Sequence, residues 1–359
     1  MQPDKQTFPM AEAKKIVEDL FEPSATTYWA DFLFNAGVGW GGFVLAVMTP
    51  NFSVLQAAGL LLAVLCLYRA VIFIHELTHL KKDSFGFFRV VWNLLCGFPF
   101  MVPSFTYMGV HIDHHKQKMY GTKDDGEYLP FVLMGRFRIV TFFLTMLIVP
   151  FVFTLRFLLT PLSYLIPPLR KLLWEYLSSL SIDPEWKRPE PQERDGKWWR
   201  LQEFLTFAYA VAFGFLLWKG ILPLKVLVLW YLVATLILLT NGLRTVAATH
   251  CYRNPAGHIL EFSEQFLDSV TIPGNPVTTG LWAPVGLRYH AVHHLFPGMP
   301  YHNLGEAHRR LMKGLPENSV YRLTLRKSLW DGLVCLWAET TAAQKSKAAR
   351  TNTEISKAS

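Results

Sequence analysis

Uncharged apolar runs long enough to cross a bilayer alternate along the chain with polar segments rich in Lys and Arg. The first run, residues 32–50 behind Asp31, passes through a short turn at 51–53 into a second, residues 54–74, interrupted only by Gln56 and Arg69. Each is about 20 residues, enough at ~1.5 Å per residue to cross a hydrocarbon core of ~30 Å. Joined by so few residues, they predict an antiparallel helical hairpin at about 32–74. Residues 204–218 and 221–243 meet at the tight KGILP turn and predict a second hairpin at about 204–243. The stretch 139–169 has uncharged runs on both sides of Arg156, but Pro150, Pro161, Pro167 and Pro168 break it. It is expected to form interfacial or re-entrant helices.

Charge orients this pattern. The segments joining the hairpins carry most of the bases, including Lys81, Lys82, Arg89, Lys116, Lys118 and Lys123, whereas the hairpin tips carry only Lys219 and Lys225. Positive charge stays on the cytoplasmic side, so both termini are expected there. A helical cytoplasmic cap is then expected at about 75–130 and 244–338. The reading is one all-α membrane domain over 1–338, followed by a polar, disordered tail at 339–359. The first twenty residues are polar and lack a secretory-signal pattern.

Composition agrees. Of 359 residues, 51% are hydrophobic and only 17% charged, against roughly a quarter charged in soluble domains; the mean hydropathy is +0.22. The net charge of +8 is spread out rather than gathered in a block, which leaves no nucleic-acid module and favours a membrane surface or an acidic partner. Cys66, Cys96, Cys251 and Cys335 form no CxxC pair. That spacing excludes a disulfide scaffold and an iron–sulfur site.

The chemistry lies in the histidines. Three clusters stand out: His75 and His79 in HELTH, His111, His114 and His115 in HIDHH, and His290, His293 and His294 in HAVHH. On a helix, positions i, i+3 and i+4 share one face, so each cluster can direct its imidazoles at a common ion. His250, seven residues beyond Leu243, adds a ninth ligand on the continuation of the last apolar helix. The predicted topology brings all nine to one membrane boundary. Tetrahedral zinc takes four ligands at most, so nine imidazoles fit two metals, and imidazole suits iron, zinc and copper. HELTH also matches the HExxH signature of zinc metalloproteases, with Glu76 as general base. That reading leaves six clustered histidines without a role. His258, His302 and His308 are read as surface or supporting residues, with His302 foremost among them.

With these motifs in place, the chain resembles the integral-membrane fatty acid desaturase/hydroxylase superfamily. The segment HAVHHLFPGMPYHNL, starting at His290, matches that family's third histidine box closely, and the resemblance covers most of residues 30–310. It implies two iron ions held by His75, His79, His111, His114, His115, His250, His290, His293 and His294, with O2 as co-substrate. It also implies a fatty acyl or lipid substrate from the bilayer and an external electron donor, a ferredoxin or a b-type cytochrome with its reductase. Desaturation is the first reading. Hydroxylase or ketolase chemistry on a lipid, alkane or carotenoid is the alternative. Under the resemblance, Glu76 and Asp113 orient imidazoles from outside the ligand set. Some relatives place a supporting Asn one turn before the extra histidine; here Val246 stands there, which leaves Asn241, farther back, as the substitute. A bacterial inner membrane is the expected location. Lys116, Lys118, Arg309 and Arg310 are read as steering an acidic electron donor or holding anionic lipid. Gly37, Gly39, Gly41 and Gly42 are read as close helix packing or as a tunnel wall.

Overall fold

The structure, a computed structural model, describes residues 8–81, 84–191, 193–255 and 258–358. Parts of the expected cap, residues 82–83 and 256–257, and the last residue of the tail lie outside the described residues. Secondary structure is helical: among the described residues there is no strand, only isolated bridges pairing His250 with Ser269 and Thr271 with Leu325. The helices that position the site are α1 (Ala25–Met48), α2 (Val54–His79), α3 (Val110–His114), α4 (Arg136–Leu158), α5 (Glu193–Trp218), α6 (Leu224–Ala248), α7 (His290–Leu295), α8 (Tyr301–Gly314) and α9 (Leu329–Ala358). Five of these, α1, α2, α4, α5 and α6, are long and apolar enough to cross a membrane.

The chain forms two compact units. The first to be described comprises residues 23–113 and 145–241. Here α1 and α2 start at side-chain caps, Ser24 accepting from the Thr27 amide (3.3 Å) and Ser53 from the Gln56 amide (3.1 Å), each satisfying a donor the first turn would otherwise strand. The two helices pack backbone to backbone. A Cβ on Gly42 would stand 2.8 Å from the Gly59 carbonyl oxygen, and one on Gly59 would stand 2.7 Å from the Gly42 oxygen. These small residues therefore serve close helix packing, although Gly37 and Gly41 meet nothing within 4 Å. Arg69 Nε donates to Asp31 Oδ1 at 2.6 Å, tying α2 to α1. Deeper in this unit, Glu203 of α5 is fully buried and accepts from Arg156, from both Nη atoms of Arg170 (2.8 and 3.0 Å) and from the Tyr164 hydroxyl (2.8 Å). Removing one partner of such a buried pair costs about 3–5 kcal/mol, so this knot fixes how the helices associate.

The second unit comprises residues 1–22, 114–144 and 242–359. Its core gathers Phe8, Ala13, Val17, Phe296, Leu304, Leu311 and Tyr321 around α8. His308 is buried there with its Nδ1 2.6 Å from the Tyr321 hydroxyl, a packed core histidine.

Two expectations are corrected. Residues 139–158 are not a broken interfacial pair: they belong to the single 23-residue helix α4, with Pro150 inside it. Proline removes one helical N–H and so frees the carbonyl four residues before it, that of Met146, a loss that a long apolar helix tolerates. Breakage comes only afterwards, where Pro161 and Pro167 each open a short helix at its first turn. The polar tail is corrected too. Residues 339–358 continue α9, with Thr340 fully buried. The segment holds five Ala and three Lys and has no Gly or Pro after Gly332, so no strong breaker interrupts the helix.

Candidate metal centre

In the unit of residues 23–113 and 145–241, α2 extends past its apolar run and carries His75 and His79 on its last turn, four residues apart and thus on one face. His111 comes from α3. The Nε2 atoms of His79 and His111 lie 2.9 Å apart, and one ring nitrogen from each of the three histidines falls within 4.8 Å of the others. The outer nitrogens of His75 and His111 are held. His75 Nδ1 is 3.2 Å from Glu76 Oε1, and His111 Nδ1 is 3.1 Å from the Tyr107 hydroxyl. Glu76 is itself buried and takes a short hydrogen bond from Tyr28.

The other unit builds its own group from three distant segments. His114, His250, His290 and His294 are all buried, with one nitrogen each inside 4.8 Å. His290 Nε2 lies 3.0 Å from His294 Nε2 and 3.4 Å from His250 Nε2. Beside them, His115 and His293 bring their Nε2 atoms to 3.0 Å. The Asp125 carboxylate oxygens lie 2.8 and 3.0 Å from His114 Nδ1. That carboxylate is fixed in turn by the Gly121 and Glu127 amides, at 2.8 and 2.9 Å. Gly121 has φ +67°, and a Cβ there would meet the Asn254 side chain at 2.9 Å, so the turn needs glycine. His250 Nδ1 is 2.8 Å from the Tyr120 hydroxyl, which also donates to Asp268 Oδ2 (3.2 Å); Tyr128 donates to the same oxygen at 2.9 Å.

These contacts test whether metals fit. A carboxylate only accepts, so His114 Nδ1 must donate to Asp125, and in the neutral imidazole its other nitrogen is left as a lone pair. Where the Tyr120 proton goes to Asp268, His250 Nδ1 donates to Tyr120, with the same result. Lone pairs from several imidazoles then converge at about 3 Å, a repulsive arrangement in a dry site unless a cation lies among them. Imidazoles that donate outward to carboxylates and hydroxyls are the usual frame of a histidine-held metal. Electrostatics agree. Burial, and then the neighbouring imidazoles, push His250, His290 and His294 well below the ordinary histidine pKa, keeping them neutral as a metal requires. His114 goes the other way: burial opposes its charge, but the Asp125 carboxylate prevails and raises it. Burial lifts Asp268 to about 6.

The outer residues read from the sequence fare unevenly. Glu76 stands against His75 as described. Asp113 is half-buried, and the carboxylate on His114 is that of Asp125. His302 Nδ1 lies 2.9 Å from Asn303 Oδ1. Asn241 is half-buried on α6, nine residues before His250. Sequence reasoning missed Asp125, Tyr120, Tyr128 and Asp268. For Asp125 and Tyr128 the available signal was the acidic GTKDDGEY turn just beyond the second cluster. Arg309 and Arg310, read as steering charges, are engaged with Glu306 and Asp19 at 2.6–3.0 Å.

The fatty acid desaturase family model matches residues 51–326. The chain belongs to that family. It is 40% identical over 326 residues to a ceramide hydroxylase of Caulobacter vibrioides, covering 90% of this chain and 91% of that protein. No solved structure matches it. Family and relative identify an oxidoreductase that modifies lipids, and with its apolar helices the chain is an integral membrane protein. The protease reading of HELTH is thereby overturned: the match runs through all three histidine clusters, and Glu76 is engaged with Tyr28 and His75.

Proposed function

We propose that this desaturase-family protein is an O2-dependent di-iron hydroxylase acting on the hydrocarbon part of a ceramide-like lipid. The observation that carries the reading is the convergence of imidazole nitrogens in two groups in which the outer nitrogens of His75, His111, His114 and His250 lie against carboxylates or tyrosine hydroxyls. His75, His79 and His111 would hold one iron, His114, His250, His290 and His294 would hold the other, and His115 and His293 would complete the nine ligands. When bound, a pair of irons supplies the oxygen chemistry that an unactivated C–H bond demands. The chain does the rest. Asp125, Glu76, Tyr107 and Tyr120 set each ring's orientation and proton position, and burial keeps water from the ligand nitrogens.

Hydroxylation is preferred to desaturation because the relative that aligns over nine-tenths of both chains is named a hydroxylase. Desaturation remains the second reading on the family's own description. The histidine-bearing end of α2 and the His250 segment just beyond α6 face the cytoplasm of a bacterial inner membrane, where bases outnumber those at the hairpin tips. Electrons come from a ferredoxin or a b-type cytochrome with its reductase. Mass spectrometry of lipids from a host expressing the chain tests the reading: ceramides gaining one oxygen atom support it, lipids losing two hydrogens favour desaturation, and unchanged lipids reject both.

A further inference from the structure

The unit of residues 1–22, 114–144 and 242–359 contains a groove of about 870 Å³ that the histidines do not line. Its walls are helical stripes. On α4, Arg136, Ile139, Val140 and Phe143 follow the i, i+3, i+4, i+7 rhythm of one face. On α9, Trp330, Leu333, Val334 and Trp337 repeat that rhythm, and Leu243 and Val246 of α6 complete the lining. The lining includes two cations, Arg136 and Lys345, and no acidic residue.

Arg136 is only partly answered by the protein. Its guanidinium lies 4.5 Å over the Trp337 ring and donates to Thr341 Oγ1, but its Nε–H is buried without a hydrogen-bond partner among the described residues. Arg136 is also the first residue of a helix long and apolar enough to span a membrane, so it stands where apolar chain gives way to polar. Trp330 and Trp337 are 72% and 44% exposed, and tryptophans gather at the headgroup level of a bilayer. The groove is therefore apolar along its walls, cationic at one place, and set at the depth where headgroups lie.

We propose that this groove binds an anionic phospholipid of the surrounding bilayer, with an acyl chain along the α4 and α9 stripes and the headgroup phosphate at Arg136 and Lys345. A phosphate oxygen can accept from the guanidinium as a charge-assisted pair, Nε–H included. A zwitterionic lipid also carries a phosphate, but its ammonium would bring a third positive charge beside Arg136 and Lys345, whereas a net anionic headgroup does not. Basic pockets beside membrane helices suit anionic headgroups for this reason. The inference is independent of the metal assignment.

The test uses the full chain in a neutral detergent with phosphatidylglycerol and phosphatidylcholine as competing probes, and native mass spectrometry reads the lipid retained. Wild type is expected to keep phosphatidylglycerol about tenfold better than phosphatidylcholine, a difference of about 1.4 kcal/mol. Arg136→Gln with Lys345→Gln should abolish that preference. Lys345→Gln alone, on an exposed position, should reduce it in part. Ala342→Trp, which fills the groove from α9, should lower retention of both lipids. Lys171→Gln, an exposed charge elsewhere, should change nothing. Equal retention of the two lipids by wild type overturns the proposal, as does a preference that survives the double variant or falls equally with Lys171→Gln. Displacement of phosphatidylglycerol by ceramide also overturns it, by making the groove the substrate's path. Iron content read on the same samples should stay constant throughout, so failure here is distinct from failure of the metal site.

Discussion

The two histidine groups are built by opposite strategies. The group of His75, His79 and His111 relies mainly on local geometry: two ligands on one helical turn, Glu76 next to His75, and Tyr107 one turn before His111, with Tyr28 as the distant support. The group of His114, His250, His290 and His294 relies on tertiary structure. Its ligands come from three segments, and its supports, Asp125, Tyr120 and Asp268, reach across as many as 148 residues. Helix formation alone nearly completes the first group, whereas the second exists only once the unit has folded. Both groups are buried, with His75, Glu76 and His111 as shielded as His114 and His290, so they differ in how far along the chain their parts are drawn from.

Removing a ligand from each group gives the largest expected effect. His79→Ala and His290→Ala should each eliminate lipid product and lower bound iron from about two per chain to about one, since a site short of imidazole holds divalent metal poorly. Iron analysis with Mössbauer spectroscopy should show a different iron lost in each variant. Loss of both irons in either variant would mean that the groups are not separable, and the contrast between them would fail.

Legibility from sequence followed the same division. The apolar runs marked four of the five long apolar helices, α1, α2, α5 and α6, because spanning length is a local property of the chain. Eight of the nine histidines were visible because i, i+3 and i+4 spacing is a helical signature, and His250 from its place just beyond the last apolar run. The residues behind the ligands were not. Asp113 lies inside HIDHH and draws the eye, yet the carboxylate on His114 comes from Asp125, eleven residues on, through a turn that depends on Gly121 at positive φ. No periodicity marks Tyr120 or Asp268, because their partners are set by folding. The helical course of 139–158 was hidden for another reason: Pro150 reads as a breaker in water but is accommodated within an apolar helix.

The supporting carboxylates sharpen the comparison at the next level. Asp125→Asn replaces the acceptor on His114 with an amide of the same shape. Loss of such a partner typically weakens metal binding by ~10–100-fold, so iron in the remote group should become extractable by a mild chelator while the local group keeps its iron. Glu76→Gln should act on the local group alone and more weakly, because Glu76 meets His75 at 3.2 Å whereas Asp125 grips His114 at 2.8 and 3.0 Å. Chelator release rates for the two variants, read beside wild type, check the ranking. Equal release rates would show that the support of the remote group is no tighter than that of the local one.

Tyr120→Phe should give the smallest change of the three. The substitution keeps the ring and removes one hydroxyl, which bridges His250 Nδ1 and Asp268 Oδ2. Asp268 retains the Tyr128 hydroxyl at 2.9 Å, so the carboxylate is not abandoned. His250 keeps Ser269 Oγ at 3.5 Å, the limit of a hydrogen bond. The loss is thus close to one buried hydrogen bond, about 1–3 kcal/mol when the other partner is left unsatisfied. Divided between folding and metal retention, that predicts less than tenfold faster iron release, with product still formed and the iron spectrum changed at one site only. An effect as large as that of Asp125→Asn would place Tyr120 and Asp268 on the same footing as the carboxylate of His114. The remote group would then rest on two equal supports rather than one strong and one weak.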